Sequence, residues 1–131
     1  MLHTDFMTEV IGHIDRDIRK LELRDGIGAS FTVKTNRDYV DEYGIPHSKN
    51  MWIPCVTFDT AWADYILSTF HKGSFVQVIC REVSVNAPRQ AKNGKYYNSF
   101  DFVIDEIFNA RELNQEAIDE SAEVLAGVTA S

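Results

Sequence analysis

The sequence predicts a mainly β domain, a five-stranded Greek-key barrel with one helix between its third and fourth strands. Three observations predict it. Five segments carry apolar side chains at the strand period of two. A single segment within the body, from Asp59 to Phe70, changes to helical spacing. The order of three strands, one helix and two strands within residues 1–110 is that of the OB-fold.

The first strand runs from Phe6 to Ile14, with Val10, Gly12 and Ile14 alternating against Ile11 and His13. Gly12 predicts a bulge or a bend there. His13 has no second His, Cys or carboxylate cluster beside it, so it reads as a polar outward residue rather than a ligand or a base. Residues 15–23, DRDIRKLEL, alternate weakly and extend the strand after a break; Arg24-Asp25-Gly26 is a turn signal. From Gly28 to Arg37, Ala29, Phe31, Val33 and Thr35 form one face and Ser30, Thr32, Lys34 and Asn36 the other. One side of this second strand packs and the other meets solvent or a partner. Asp38 to Asn50 reads as a long loop or the tip of an extended hairpin, with Gly44 and Pro46 marking a turn.

The third strand places Trp52, Pro54, Val56 and Phe58 on one face and Met51, Ile53, Cys55 and Thr57 on the other. Either the strand is buried on both sides, or one face is an exposed aromatic surface with a job. Trp62, Tyr65, Ile66, Thr69 and Phe70 follow at helical spacing, with Asp59 or Thr60 as N-cap. Lys72 and Gly73 match a positive last turn and a glycine stop. Ser74 to Val85 is the fourth strand, and Asn86 to Lys95 a hairpin tip turning at Asn93-Gly94. Tyr96 and Tyr97 open the fifth strand, which ends near Phe108. Residues 111–131 form an acidic C-terminal tail. Leu113, Ala117, Ile118, Ala122 and Leu125 are spaced for an amphipathic helix there, a disordered acidic tail being the alternative.

Composition bounds the function classes. At 44% hydrophobic and 25% charged residues the chain reads as globular, and no apolar run approaches the roughly 20 residues of a membrane span. The N-terminus lacks the basic start and apolar stretch of a signal peptide. Cys55 and Cys80 lie in apolar runs without metal-ligand spacing, which predicts buried, reduced thiols in a cytoplasmic protein, a disulfide being the alternative. The net charge of −7 argues against a polyanionic partner. Its distribution softens that objection. Residues 1–110 hold 12 Lys/Arg against 15 Asp/Glu, a net of −3, while residues 111–131 hold Arg111 against five acids. The body is nearly balanced and has room for a basic groove. Phosphate-binding glycine loops, HExxH, CxxC and GxSxG motifs do not occur, so neither an enzyme nor a cofactor is expected.

Aromatics interleaved with cations remain. Trp52 and Phe58 share a strand face about 20 Å apart. Tyr39, Tyr43, Tyr96 and Tyr97 lie on bordering loops or strand starts, and Lys34, Arg37, Lys49, Lys72, Arg81, Arg89, Lys92 and Lys95 supply positive charge. Single-strand binders use this combination: rings stack on bases at roughly 1–3 kcal/mol each, and cations track phosphates. The competing reading is that Trp52 and Phe58 are core.

From about Val10 to Ile107 the chain resembles the bacterial and phage single-stranded DNA-binding protein family. VIGHIDRD is similar to the family's first-strand run, ASFTVKTNRDY to its second strand, Trp52 to Phe58 to the W-x5-F of its third, and YILSTFHKGSFVQV to its helix end and fourth strand. The resemblance implies single-stranded DNA binding by a homo-oligomer, tetramer or dimer, without cofactor or catalysis. Tyr39, Trp52 and Phe58 would stack on bases, with Lys72 as the basic residue before Gly-Ser. It also implies roles in replication, recombination and repair with proteins of those processes, in the bacterial cytoplasm or that of a phage host. The chain departs from the family's pattern at Ala87 and Pro88, where a Trp is usual, and at Pro54 and Thr60, where basic residues are usual. VLAGVTAS stands in place of the family's acidic, Phe-ended tail tip, which fits a phage or mobile-element form. The rival reading is a protein-interaction OB domain, such as a replisome accessory subunit with weak nucleic-acid affinity. A third is an RNA-binding OB module of translation.

Overall fold

A computed structural model of the chain describes residues 4–111. Strands β1 (Thr8–Ile14), β2 (Arg19–Leu23), β3 (Gly26–Val40) and β4 (Pro46–Thr57) precede helix α1 (Thr60–Thr69). After it come β5 (Phe75–Val85), the short β6 (Arg89–Gln90) and β7 (Tyr96–Tyr97), and β8 (Phe100–Asn109). The main sheet runs β1-β5-β8-β4-β3-β2, and β1 also pairs with β3, which closes it on itself. The result is a five-stranded barrel with one helix, the OB-fold the element order predicts. β4 and β8 pair in parallel; the other pairings are antiparallel.

The alternation of the sequence decides what fills the barrel. Val10 and Ile14 of β1, Phe31 and Val33 of β3, Cys55 of β4, and Val76, Val78 and Cys80 of β5 point inward and are buried with Ile66, Phe70, Ile104 and Ile107. Both cysteines are free thiols. The neighbouring Cys80 thiol and its own burial push the Cys55 thiol well above the ordinary range, so it stays protonated.

β1 and β2 are two halves of one interrupted strand along β3. His13 and Ile14 pair with Lys34 and Val33, the Asp15 amide donates to the Thr32 carbonyl at 2.9 Å, and pairing resumes from Arg19↔Ser30 to Leu23↔Gly26. The extension after a break is therefore as expected. Gly12, however, is not a bulge. A Cβ there would run into the Lys34 carbonyl oxygen and lie 2.9 Å from Val33 Cγ1, so glycine is what lets β1 cross close over β3. The register shifts in the barrel lie instead between β5 and β8, around Cys80.

Residues 38–50 extend the β3–β4 ribbon, which stays paired out to Val40↔Pro46. Asp59 caps α1 by accepting from the Trp62 amide at 3.0 Å, while the Thr60 hydroxyl accepts from the Ile27 amide at 3.2 Å and anchors the helix start to β3. Ala63 and Ile66 face the core, whereas Tyr65 is exposed. The helix ends at Thr69 because the extended Phe70 turns into the core, so Lys72 and Gly73 occupy the following turn rather than the last helical one. Tyr96 and Tyr97 do not open the fifth strand either. They pair with Gln90 and Arg89 in a separate two-stranded ribbon, and β8 begins at Phe100 opposite Val85. Beyond Arg111, the amphipathic spacing of the tail lies outside the described residues.

Gly12→Ala forces the β1 and β3 backbones apart, and we expect it to lower stability by about 1–3 kcal/mol. Urea unfolding followed by far-UV circular dichroism measures this; an unchanged midpoint would show that the closure tolerates a side chain.

Candidate nucleic-acid interface

Because Val33, Ile53 and Cys55 point inward, their strand neighbours Lys34, Trp52 and Pro54 point outward. Trp52 is 53% exposed and Phe58 50%, so neither belongs to the core. Trp52 is held on two sides. Its Nε1 donates to Asp15 Oδ2 at 3.1 Å, and Lys34 Nζ, directly across the strand pair, lies 5.7 Å from the ring centroid. Asp15 can reach it because the break between β1 and β2 falls there.

A groove of about 460 Å³ begins on the same outer surface. Arg19 and Leu21 of β2, Ser30 of β3, Pro54 and Val56 of β4, and Phe58 just after β4 line it. Asn86, Arg89, Phe100 and Asp101 form the opposite side. A hollow of about 210 Å³, sharing Arg19, Ser30, Pro54 and Asp101 and adding Arg16 and Asp17, continues it along the β1–β2 break that holds Asp15. Exposed rings thus border a channel that carries guanidinium groups. It also carries carboxylates, of which Asp101 accepts from Asn86 Nδ2 at 3.1 Å. Such a surface can hold flat rings by stacking and anionic links by charge. Among the described residues no cluster of His, Cys, Asp or Glu is arranged to hold a metal ion.

The remaining sequence-predicted residues divide by position. Arg89 lines the groove, and Tyr97, its partner in the ribbon, faces the same side, whereas Tyr96 pairs with Gln90 and faces away. Lys92 and Lys95 stand exposed at the ribbon's turn. Tyr39 lies on the opposite face of the β3–β4 ribbon from Trp52, together with Arg37 and Lys49, which pair with each other. There it stacks on His47 with ring centroids 5.2 Å apart. His47 in turn contacts Asp41 at 2.7 Å, and this bond with the Ile45 and Tyr43 amides holds the Asp41 carboxyl below its usual range. Arg81 is paired with Asp5 at 3.1 Å and Asp105 at 3.4 Å, away from the groove. The turn carrying Lys72 bonds through the Gly73 amide to the Ile14 carbonyl, one residue before Asp15.

Three exposed rings and cations of the groove, Arg16, Arg19 and Phe100, are absent from the sequence-predicted set. The signal for Arg19 was present in DRDIRKLEL. Taking that run as a continued strand sets Arg19 beside Ser30 on the outward face.

The fold is shared with solved single-stranded DNA-binding proteins. The small single-stranded DNA-binding protein of Streptomyces coelicolor superimposes with a TM-score of 0.64 at 16% identity, over 82% of this chain and 95% of that one. A Plasmodium falciparum protein of the same kind, solved in complex with single-stranded DNA, gives 0.69 at 18% identity over 82% and 97%. The mitochondrial single-stranded DNA-binding protein of S. cerevisiae gives 0.59 at 11% identity over 82% and 96%. No family model and no curated relative matches the sequence.

Asp15→Ala removes the acceptor that fixes the Trp52 ring, and the ring should then rotate more freely. In a Trp62→Phe background, time-resolved fluorescence anisotropy of the free protein should show a fast component that Asp15→Asn, which keeps an acceptor oxygen, lacks. Identical decays in the two variants would contradict this anchoring.

Proposed function

We propose that this chain belongs to the single-stranded DNA-binding proteins and coats single strands without reading their sequence. The observation that carries the proposal is the outward groove in which Phe58 and Phe100 lie with Arg16, Arg19 and Arg89, together with the exposed Trp52 on the same outward strand face as Pro54 and Val56. Exposed rings at these positions contribute nothing to filling the barrel, and leaving them in water forgoes the gain of burial. Bases supply the missing partner, since every base has a face to stack. The cations meet phosphates, and the shared fold supports the same reading. Trp52 is the central stacking residue, with Phe58, Phe100 and Tyr97 as further platforms. Lys34, Arg16, Arg19 and Arg89 contact phosphate, and Lys92 and Lys95 add to the field at the ribbon. Tyr39, Arg37 and Lys49 serve a strand that wraps round the β3–β4 ribbon to its other face. The chain acts as a homo-oligomer in replication, recombination or repair, without catalysis.

Titrating poly-dT while following tryptophan fluorescence should give strong quenching that weakens with salt. Four phosphate-neutralising cations correspond to a slope of about −3 in log K against log salt. Trp52→Ala should weaken binding by about 1–3 kcal/mol with the unfolding midpoint unchanged. No quenching at high micromolar protein would favour a protein-interaction domain instead.

A further inference from the structure

Four outward side chains fall in one row across the barrel closure. Phe75 of β5 pairs with His13 of β1, His13 with Lys34 of β3, and Lys34 with Trp52 of β4. Paired residues share a side of the sheet, and here it is the outer side, because Gly12, Ile14, Val33 and Val76 next to them are buried. The His13 ring lies flat on Phe75, with centroids 4.8 Å apart and planes 21° from parallel.

We propose that this row is a second branch of the single-strand interface, in which the His13–Phe75 pair stacks on a base and Lys34 meets the phosphate between it and Trp52. The proposal rests on the single-strand reading above and extends it from the groove onto β1 and β5. Three features carry it. Phe75 lies outside the cluster of side chains that fills the barrel, and His13 is exposed. Among the described residues His13 makes no side-chain hydrogen bond or ion pair, so its nitrogens are open to a ligand. The spacing also fits. Adjacent strands lie about 4.8 Å apart, which puts His13 about 10 Å from Trp52 with the cation midway, an order of ring, charge and ring. The turn carrying Lys72 leads directly into Phe75 and sets a second cation at the far end. The carboxylate sharing this side of β1, Glu9, is engaged by Gln77 Nε2 at 3.0 Å, and Asp15 by Trp52.

A strand following both branches turns at Trp52 and occupies more nucleotides than the groove alone. A length series of oligo-dT, measured by fluorescence anisotropy of the labelled oligonucleotide, tests this. His13→Ala should bind the longest oligonucleotides roughly fivefold more weakly, the low end of one base stack, and His13→Asp more weakly still. The shortest oligonucleotides that bind wild type should bind both variants alike. Phe75→Leu, which keeps the apolar bulk and loses the ring, should behave as His13→Ala; if it fails to fold, the exposed His13 positions decide. Equal binding of every length by wild type and both His13 variants would overturn the second branch, as would equal weakening at every length. Absence of oligo-dT binding by wild type would overturn the single-strand reading itself, and this branch with it.

Discussion

The outer surface of this barrel depends on one close backbone crossing, that of β1 over β3 at Gly12. Two residue pairs, His13↔Lys34 and Ile14↔Val33, close the sheet into a barrel, and the Asp15 amide adds a hydrogen bond to Thr32. Any side chain at position 12 would meet the Lys34 carbonyl. The crossing does more than seal the core. It delivers Asp15 to the indole of Trp52, brings His13 level with Lys34, and sends β2 off along β3 with Arg19 facing outward. Barrel closure and surface chemistry therefore share a cause.

A second constraint is that β4 has apolar side chains on both faces. The inward set closes the core through Ile53 and Cys55. The outward set is treated unevenly: Val56 is buried at the base of the groove, while Phe58 in the groove and Trp52 further along the same strand face remain half exposed. A strand buried on both sides would have hidden all of them. The protein instead fixes Trp52 with a carboxylate and a cation, which limits the rotamer freedom that binding would otherwise cost, of order 0.5–1.5 kcal/mol for such a side chain.

Much of this was legible in the residues themselves. Alternation in GASFTVKTNR and in the Trp52–Phe58 run identifies the inward faces, and the shift of period at Asp59 locates the helix with its cap. What failed to show was set by pairing between distant segments. Gly12 looked like a bulge or a bend because its crossing partner lies more than twenty residues away. The tyrosines before Phe100 looked like a strand start because nothing local reveals that Arg89–Gln90 captures them in a ribbon of their own. Sequence position groups Tyr39 with Trp52, although register places them on opposite faces of one ribbon, and it shows Arg81 as a free cation, although Asp5 and Asp105 pair with it. Strand period tells which residues share a face within one strand. It does not tell which face meets which across strands.

On the proposed function, single-stranded DNA lies along the outward groove and against Trp52. Backbone amide chemical-shift mapping of the protein with a short oligo-dT tests it most directly. Shifts concentrated at Arg16, Arg19, Trp52, Phe58, Arg89 and Phe100 are the predicted result. Shifts confined to the Tyr39–His47 face of the β3–β4 ribbon, or none at saturating oligonucleotide, would contradict it.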